Sequence, residues 1–176
     1  MFKGGPIYTR IAAQVLRFAE LLFPLPLLIY GVLIQQNIIK TGYSVNYVGF
    51  YILMAIWFII GLLQFLVPTK TKKVMTLRNV ALHLMIGAYL LFVTGISSPI
   101  SAVWVIMTLS AYVLLEAKGM IMSLSIFSLF VLIDIFFVHS GNQVYLLNNL
   151  ATLVAIIACG IVTASIFQTQ KVSQEK

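Results

Sequence analysis

Hydrophobic runs of about 17–22 residues, parted by short polar breaks, dominate this chain, and a run of that length is what an α-helix needs to cross a bilayer. The runs fall near residues 17–36, 46–67, 77–95, 99–116, 119–138 and 146–168. Between them stand the residues that end helices. Asn37 to Asn46 holds Lys40 and Gly42, and Pro68 opens a loop with Lys70, Lys72, Lys73 and Arg78. Gly95-Ile96-Ser97-Ser98-Pro99, Glu116 to Gly119, and Ser140-Gly141-Asn142 make tight turns. The spacing predicts an all-α polytopic membrane protein, a six-transmembrane-helix bundle. Residues 1–168 form the membrane domain, and 169–176 a cytoplasmic helical tail or the start of a linker. Six spans use roughly 120 residues, so the 176 present leave no room for a soluble domain.

Composition agrees. Hydrophobic residues make up 61% of the chain and charged residues 9%, with a mean hydropathy of +1.07. Soluble domains carry about 25% charged residues, so there is too little polar surface here to cover a water-soluble globule. This excludes a soluble enzyme, a disordered tail, a disulfide scaffold and a nucleic-acid module. The net charge of +7 is read as the basic flanks of membrane helices, the lipid bilayer being the partner, with no nucleic acid. The single Cys159 lies in an apolar run and has no mate for an intrachain disulfide.

Lysine and arginine set the orientation. With the N-terminus inside, the cytoplasmic segments hold Lys3, Arg10, Arg17, Lys70, Lys72, Lys73, Arg78, Lys118, Lys171 and Lys176, and the external ones only Lys40. By the positive-inside rule both termini are cytoplasmic and the protein is a multi-pass component of the plasma or inner membrane. Tyr43, Tyr47, Trp104 and Tyr145 then fall near the outer interface, Tyr8 and Tyr112 near the inner one. The apolar stretch after the basic start is too long for a signal peptide, and no small-x-small cleavage site follows it.

Few polar residues lie inside the runs. Asp134 stands about 15 residues into the fifth span, roughly 22 Å deep. A carboxylate facing lipid there would be costly, so it is expected to face the interior. Asn148, Asn149, Thr152, Ser101, Tyr51, Tyr30 and Gln35 fall at similar depth and outline an outward polar pocket, a candidate ligand site. The competing reading is a hydrogen-bonded clamp between helices. His83 lies near the cytoplasmic edge, too far from Asp134 for a His–Asp relay, and is read as a helix–helix hydrogen bond or an interfacial residue. His139 ends the fifth span and is expected to meet water. No third ligand accompanies either histidine, so no metal and no cofactor is expected.

Arg17 and Glu20 share a helix face as a local ion pair, and Glu116 with Lys118 forms another candidate pair. Pro24 and Pro26 break the first span. Ala151, Ala155, Cys159 and Thr163 repeat every four residues as a ridge for close helix packing, with Gly160 and Ala164 beside it. The ridge serves either another helix of the chain or a second copy in a homodimer. The last span runs into Gln168-Thr169-Gln170-Lys171-Val172-Ser173-Gln174-Glu175-Lys176 without Gly or Pro, so its helix is expected to continue out of the membrane, unbroken from about Leu146 past Gln170.

Enzyme constellations are missing. There is no HExxH, GxSxG, paired intramembrane aspartate or P-loop, and no inverted repeat of broken helices. The basic start, six short-looped spans, the segment Pro24-Leu25-Pro26-Leu27-Leu28-Ile29-Tyr30-Gly31, and the last span running into Gln170–Lys176 together resemble the membrane input region of bacterial sensor histidine kinases. That resemblance implies a sensor or anchor module that passes a signal through its last helix to a cytoplasmic output domain outside this sequence. In that family the output domain is a phosphoacceptor helix followed by an ATP-binding domain. From a different class, the outward pocket would suit a small transporter or channel subunit. A reading frame continuing past Lys176 would favour the sensor.

Overall fold

The computed structural model describes residues 18, 21–40, 45–66, 72–139 and 141–174. Among these every regular element is helical and no strand occurs. Three helical stretches are long and apolar enough to cross a membrane: Lys73–Thr94, Ala117–Val138 and Gln143–Ile166. Shorter apolar helices span Pro24–Gln35, Tyr47–Leu63 and Pro99–Leu115. The chain divides into two compact units, Met1–Gly95 and Ile96–Lys176.

In the first unit, α1 spans Pro24–Gln35, α2 Tyr47–Leu66 and α3 Lys72–Tyr89. A single non-helical residue, Phe23, separates helical Leu21-Leu22 from α1. Pro24 takes the first helical position, where its missing N–H costs nothing. Asn37 closes α1 in the left-handed region at φ 57°. Ile38 N–H bonds Leu33 O at 3.0 Å and Asn37 N–H bonds Ile34 O at 2.9 Å, a Schellman closure that satisfies the last carbonyls. Asn46 starts α2 by accepting the Gly49 N–H on its Oδ1 at 3.0 Å.

Around buried Phe50 the three helices meet. Its ring lies 6.2 Å from that of Tyr89, whose hydroxyl donates to the Leu27 carbonyl at 2.8 Å. Gly31 faces the Phe50 ring so closely that a Cβ would overlap it. Thus α1 approaches α2 where the side chain is absent, as small residues allow in lipid. Helix α3 begins at Lys72, ahead of the expected start at 77, which places Arg78 inside the helix and buried rather than in a basic loop. A π turn, Leu90–Thr94, prolongs α3 to Gly95, whose φ of 83° ends it.

In the second unit a short 3-10 turn, Pro99–Ala102, runs into α4, Val103–Leu115. Glu116, at φ 56°, turns the chain in one residue into α5, Ala117–Ile133. Exposed Lys118 stands on the first turn of α5, and Glu116 is exposed as well. A π turn, Asp134–Val138, extends α5. Helix α6 follows as one element, Gln143–Gln174, continuous past Gln170 as the sequence leads one to expect. Asn142 caps its start, accepting the Val144 N–H at 3.1 Å and the Tyr145 N–H at 3.4 Å.

Helices α4 and α5 pack through small and polar residues. Gly119 sits against the Ala111 carbonyl. The Thr108 and Ser123 hydroxyls bond at 2.8 Å, and Trp104 Nε1 donates to Ser123 O at 3.1 Å. Trp104 is fully buried, its ring 4.9 Å from that of Phe127. The neighbouring helix thus supplies the acceptor that the indole N–H needs once the ring is buried.

The ridge residues of α6 are not the face that packs within the chain. Asn149, Ile156, Gly160 and Ala164 are buried, whereas Ala151, Ala155 and Cys159 are exposed and Thr163 is half-buried. Gly160 lets α6 approach Thr108 and Leu124; a Cβ there would stand 3.3 Å from Thr108 Cγ2. The four-residue ridge is one step off the buried face. Thr163 bonds its own helix, Oγ1 to Cys159 O at 2.6 Å. Arg17, Glu20, Tyr8, Tyr43 and the basic residues Lys3, Arg10 and Lys70 lie outside the described residues.

Candidate functional site

Asp134 is fully buried at the C-terminal end of α5. Within an α-helix, residues five apart lie about 140° from each other around the axis, so Asp134 and His139 would not share a face. The π turn changes this. Its i→i+5 pattern closes with His139 N–H to Asp134 O at 2.8 Å and brings the imidazole back over the carboxylate. His139 Nδ1 then lies 2.8 Å from Asp134 Oδ1. The other carboxylate oxygen, Oδ2, accepts from Asn149 Nδ2.

The site is built from two helices and the turn that joins them. Asn142 fixes where α6 starts, and Asn149 follows seven residues later, two turns in, facing α5. Tyr145, one turn earlier, lays its ring 4.5 Å from that of His139. Asn149 is fully buried, and its Oδ1 has no hydrogen-bond partner. A buried amide oxygen without a donor carries a desolvation cost of about 1–3 kcal/mol.

Asp134 faces protein, as the cost of a carboxylate in lipid requires, and Asn149 is within reach. Asn148, Thr152 and Ser101 do not join it. Asn148 is exposed, and the Thr152 hydroxyl bonds the Asn148 carbonyl at 2.8 Å. Ser101 is buried in the 3-10 turn. Tyr30, half-buried, and Tyr51 belong to the other unit, where the Tyr51 hydroxyl donates to Gln35 Oε1.

Sequence reasoning left His139 to water and missed the pair it forms. The available signal was a histidine five residues after an aspartate, and only a π turn makes that spacing meaningful. In the first unit, His83 Nδ1 is 2.7 Å from the Asn79 carbonyl one turn earlier in its own helix. No group of three or more His, Cys, Asp or Glu side chains gathers among the described residues in a way that could hold a metal ion.

No protein-family model, no curated protein and no solved structure matches the chain.

Proposed function

We propose that this chain is a six-span module of the plasma or inner membrane, both termini cytoplasmic, that passes a signal from a polar site near the outer surface through its last helix to a cytoplasmic output domain of the histidine-kinase type. The observation that carries this reading is the position of Asn149. It holds Asp134 at one end of a 32-residue helix, so any change at the carboxylate acts directly on that helix. Beyond the apolar stretch, which ends at Ile166, α6 continues to Gln174 without a break. A continuous helix is a stiff element whose tilt or rotation is felt at its far end. The orientation rests on the Lys/Arg distribution.

Two measurements test this. Reporter fusions after Lys70, Lys118 and Lys176 are expected to read as cytoplasmic, and fusions near Lys40, Ser97 and Gly141 as external. An external signal at Lys176 would overturn the module. For signal transfer, a spin label is placed by Thr169→Cys in a Cys159→Ala background, in vesicles. Asp134→Asn is expected to change the label's mobility, and a Gly-Gly insertion after Ile166 to abolish that response. A label indifferent to Asp134→Asn counts against the reading.

A further inference from the structure

We infer that the Asn79 carboxamide, on the buried face of α3 in the first unit, is a binding site for ordered water. The site is separate from the Asp134–Asn149 bond and does not depend on the signal route proposed above.

Three polar residues are buried near the start of α3. Arg78 is 5% exposed, and Asn79 and His83 are wholly enclosed. Arg78 and His83 both have partners. The Asn79 main chain is engaged too, its carbonyl lying 2.7 Å from His83 Nδ1. The Asn79 side chain is different, because neither Nδ2 nor Oδ1 has a hydrogen-bond partner.

The neighbours on the buried faces are apolar at this level. Met75 and Leu82, one turn before and after Asn79 on α3, are buried. Along α2 and α3 the rings of Phe50 and Tyr89 stand 6.2 Å apart. Asn79 lies ten residues before Tyr89, about 15 Å along α3, and Gly61 lies eleven residues after Phe50, about 16 Å along α2. Gly61 is buried and brings no side chain that could bond the carboxamide.

A carboxamide offers two N–H donors and a carbonyl with two lone pairs. Leaving both ends bare in apolar surroundings is costly, and asparagine is a weak helix former, so neither packing nor propensity favours it here. A ligand that removes the cost must be neutral and must both donate and accept. A cation would serve Oδ1 alone and an anion Nδ2 alone. Full enclosure also limits the size. Water meets each condition, and buried polar groups that lack a protein partner are commonly satisfied by it. The side chain of a helical residue leans over the preceding turn, where the Met75 carbonyl has a second lone pair beside the one used in the helix. A water that accepts from Asn79 Nδ2 can donate to that carbonyl, and one that donates to Oδ1 completes the amide.

The test uses full-length protein in vesicles, with 13C,15N-asparagine and 13C-carbonyl arginine. Arg78-Asn79 is the only Arg-Asn step in the sequence, so this labelling picks out Asn79 and, through its own carbons, its side-chain amide. Proton transfer from water is then followed by solid-state NMR, with exposed Asn142 as the reference for bulk solvent. A water cross-peak is expected at Asn79 Nδ2. Its hydrogen–deuterium exchange should be about tenfold or more slower than at Asn142, because a buried group exchanges only through local opening. No water cross-peak at Asn79 while Asn142 shows one overturns the proposal. So does a short proton contact from the amide to another polar group of the protein, or exchange as fast as at Asn142. Asn79→Leu gives an independent readout. Removing the amide together with its water leaves no protein group unsatisfied, so the thermal midpoint should be unchanged or raised. A clear fall would show that the carboxamide bonds protein and would overturn the water site.

Discussion

Replacing Asn149 with leucine is expected to destabilise the protein by about 1–3 kcal/mol, the cost of leaving a buried acceptor without its donor, and towards the upper end because the acceptor is a carboxylate. The loss comes from Asp134, whose Oδ2 loses its donor while remaining fully buried. Equilibrium unfolding in mixed detergent micelles, followed by helical circular dichroism, measures it. The double substitution Asp134→Leu with Asn149→Leu separates this cause from simple misfit. Asp134→Leu also removes the partner of His139 Nδ1, a loss common to the single and the double substitution, so the double should cost less than the sum of the two single losses. Additive losses would show that the bond between α5 and α6 carries no coupling.

The second large effect is expected at Gly119. A Cβ there would run into the Ala111 carbonyl and lie 2.9 Å from the Leu115 Cβ. The obstacle is backbone in the facing helix, which cannot swing aside as a side chain would. Overpacking costs typically about 1–3 kcal/mol even where side chains can yield, so Gly119→Ala should reach or exceed the top of that range. Gly119→Leu should prevent the α4–α5 hairpin from closing. Gly49→Ala is the matched control. At Gly49 a Cβ would meet the Asn46 side chain at 3.6 Å, ordinary van der Waals contact. Alanine also favours the helix by about 0.5–1 kcal/mol over glycine, so Gly49→Ala should be neutral or stabilising. Similar losses at both positions would show that helix propensity, and not the close approach to Ala111, decides the outcome.

Both effects bear on the proposed function through the same element. The close α4–α5 hairpin fixes where the end of α5 lies, and the Asp134–Asn149 bond ties that end to α6. A variant that loosens the hairpin should therefore also disturb the carboxylate site, although Gly119 is fifteen residues away from Asp134 along the chain.

Much of the local structure was legible in the residues. The break at Pro24, the turns at Gly95 and Gly141, and an unbroken run into the tail each act through the backbone within a few positions. So did the inward orientation of Asp134, because a carboxylate in hydrocarbon is costly whichever helices surround it. The faces were not legible. When nearly every residue of a helix is apolar, the periodicity that separates core from surface in a soluble helix disappears. A small-residue repeat points to Ala151, Ala155 and Cys159 as readily as to Gly160 and Ala164, and only the fit against Thr108 and Leu124 shows that Gly160 is on the side that packs within the chain. Trp104 carries an aromatic ring and one N–H, and that both are buried, the N–H on the Ser123 carbonyl of the adjoining helix, shows only in the packing. Nor could the spacing of Asp134 and His139 announce their contact. An α-helix turns residues five apart away from each other, and only the widened turn at Asp134–Val138, closed against α6 and Asn149, brings the imidazole onto the carboxylate.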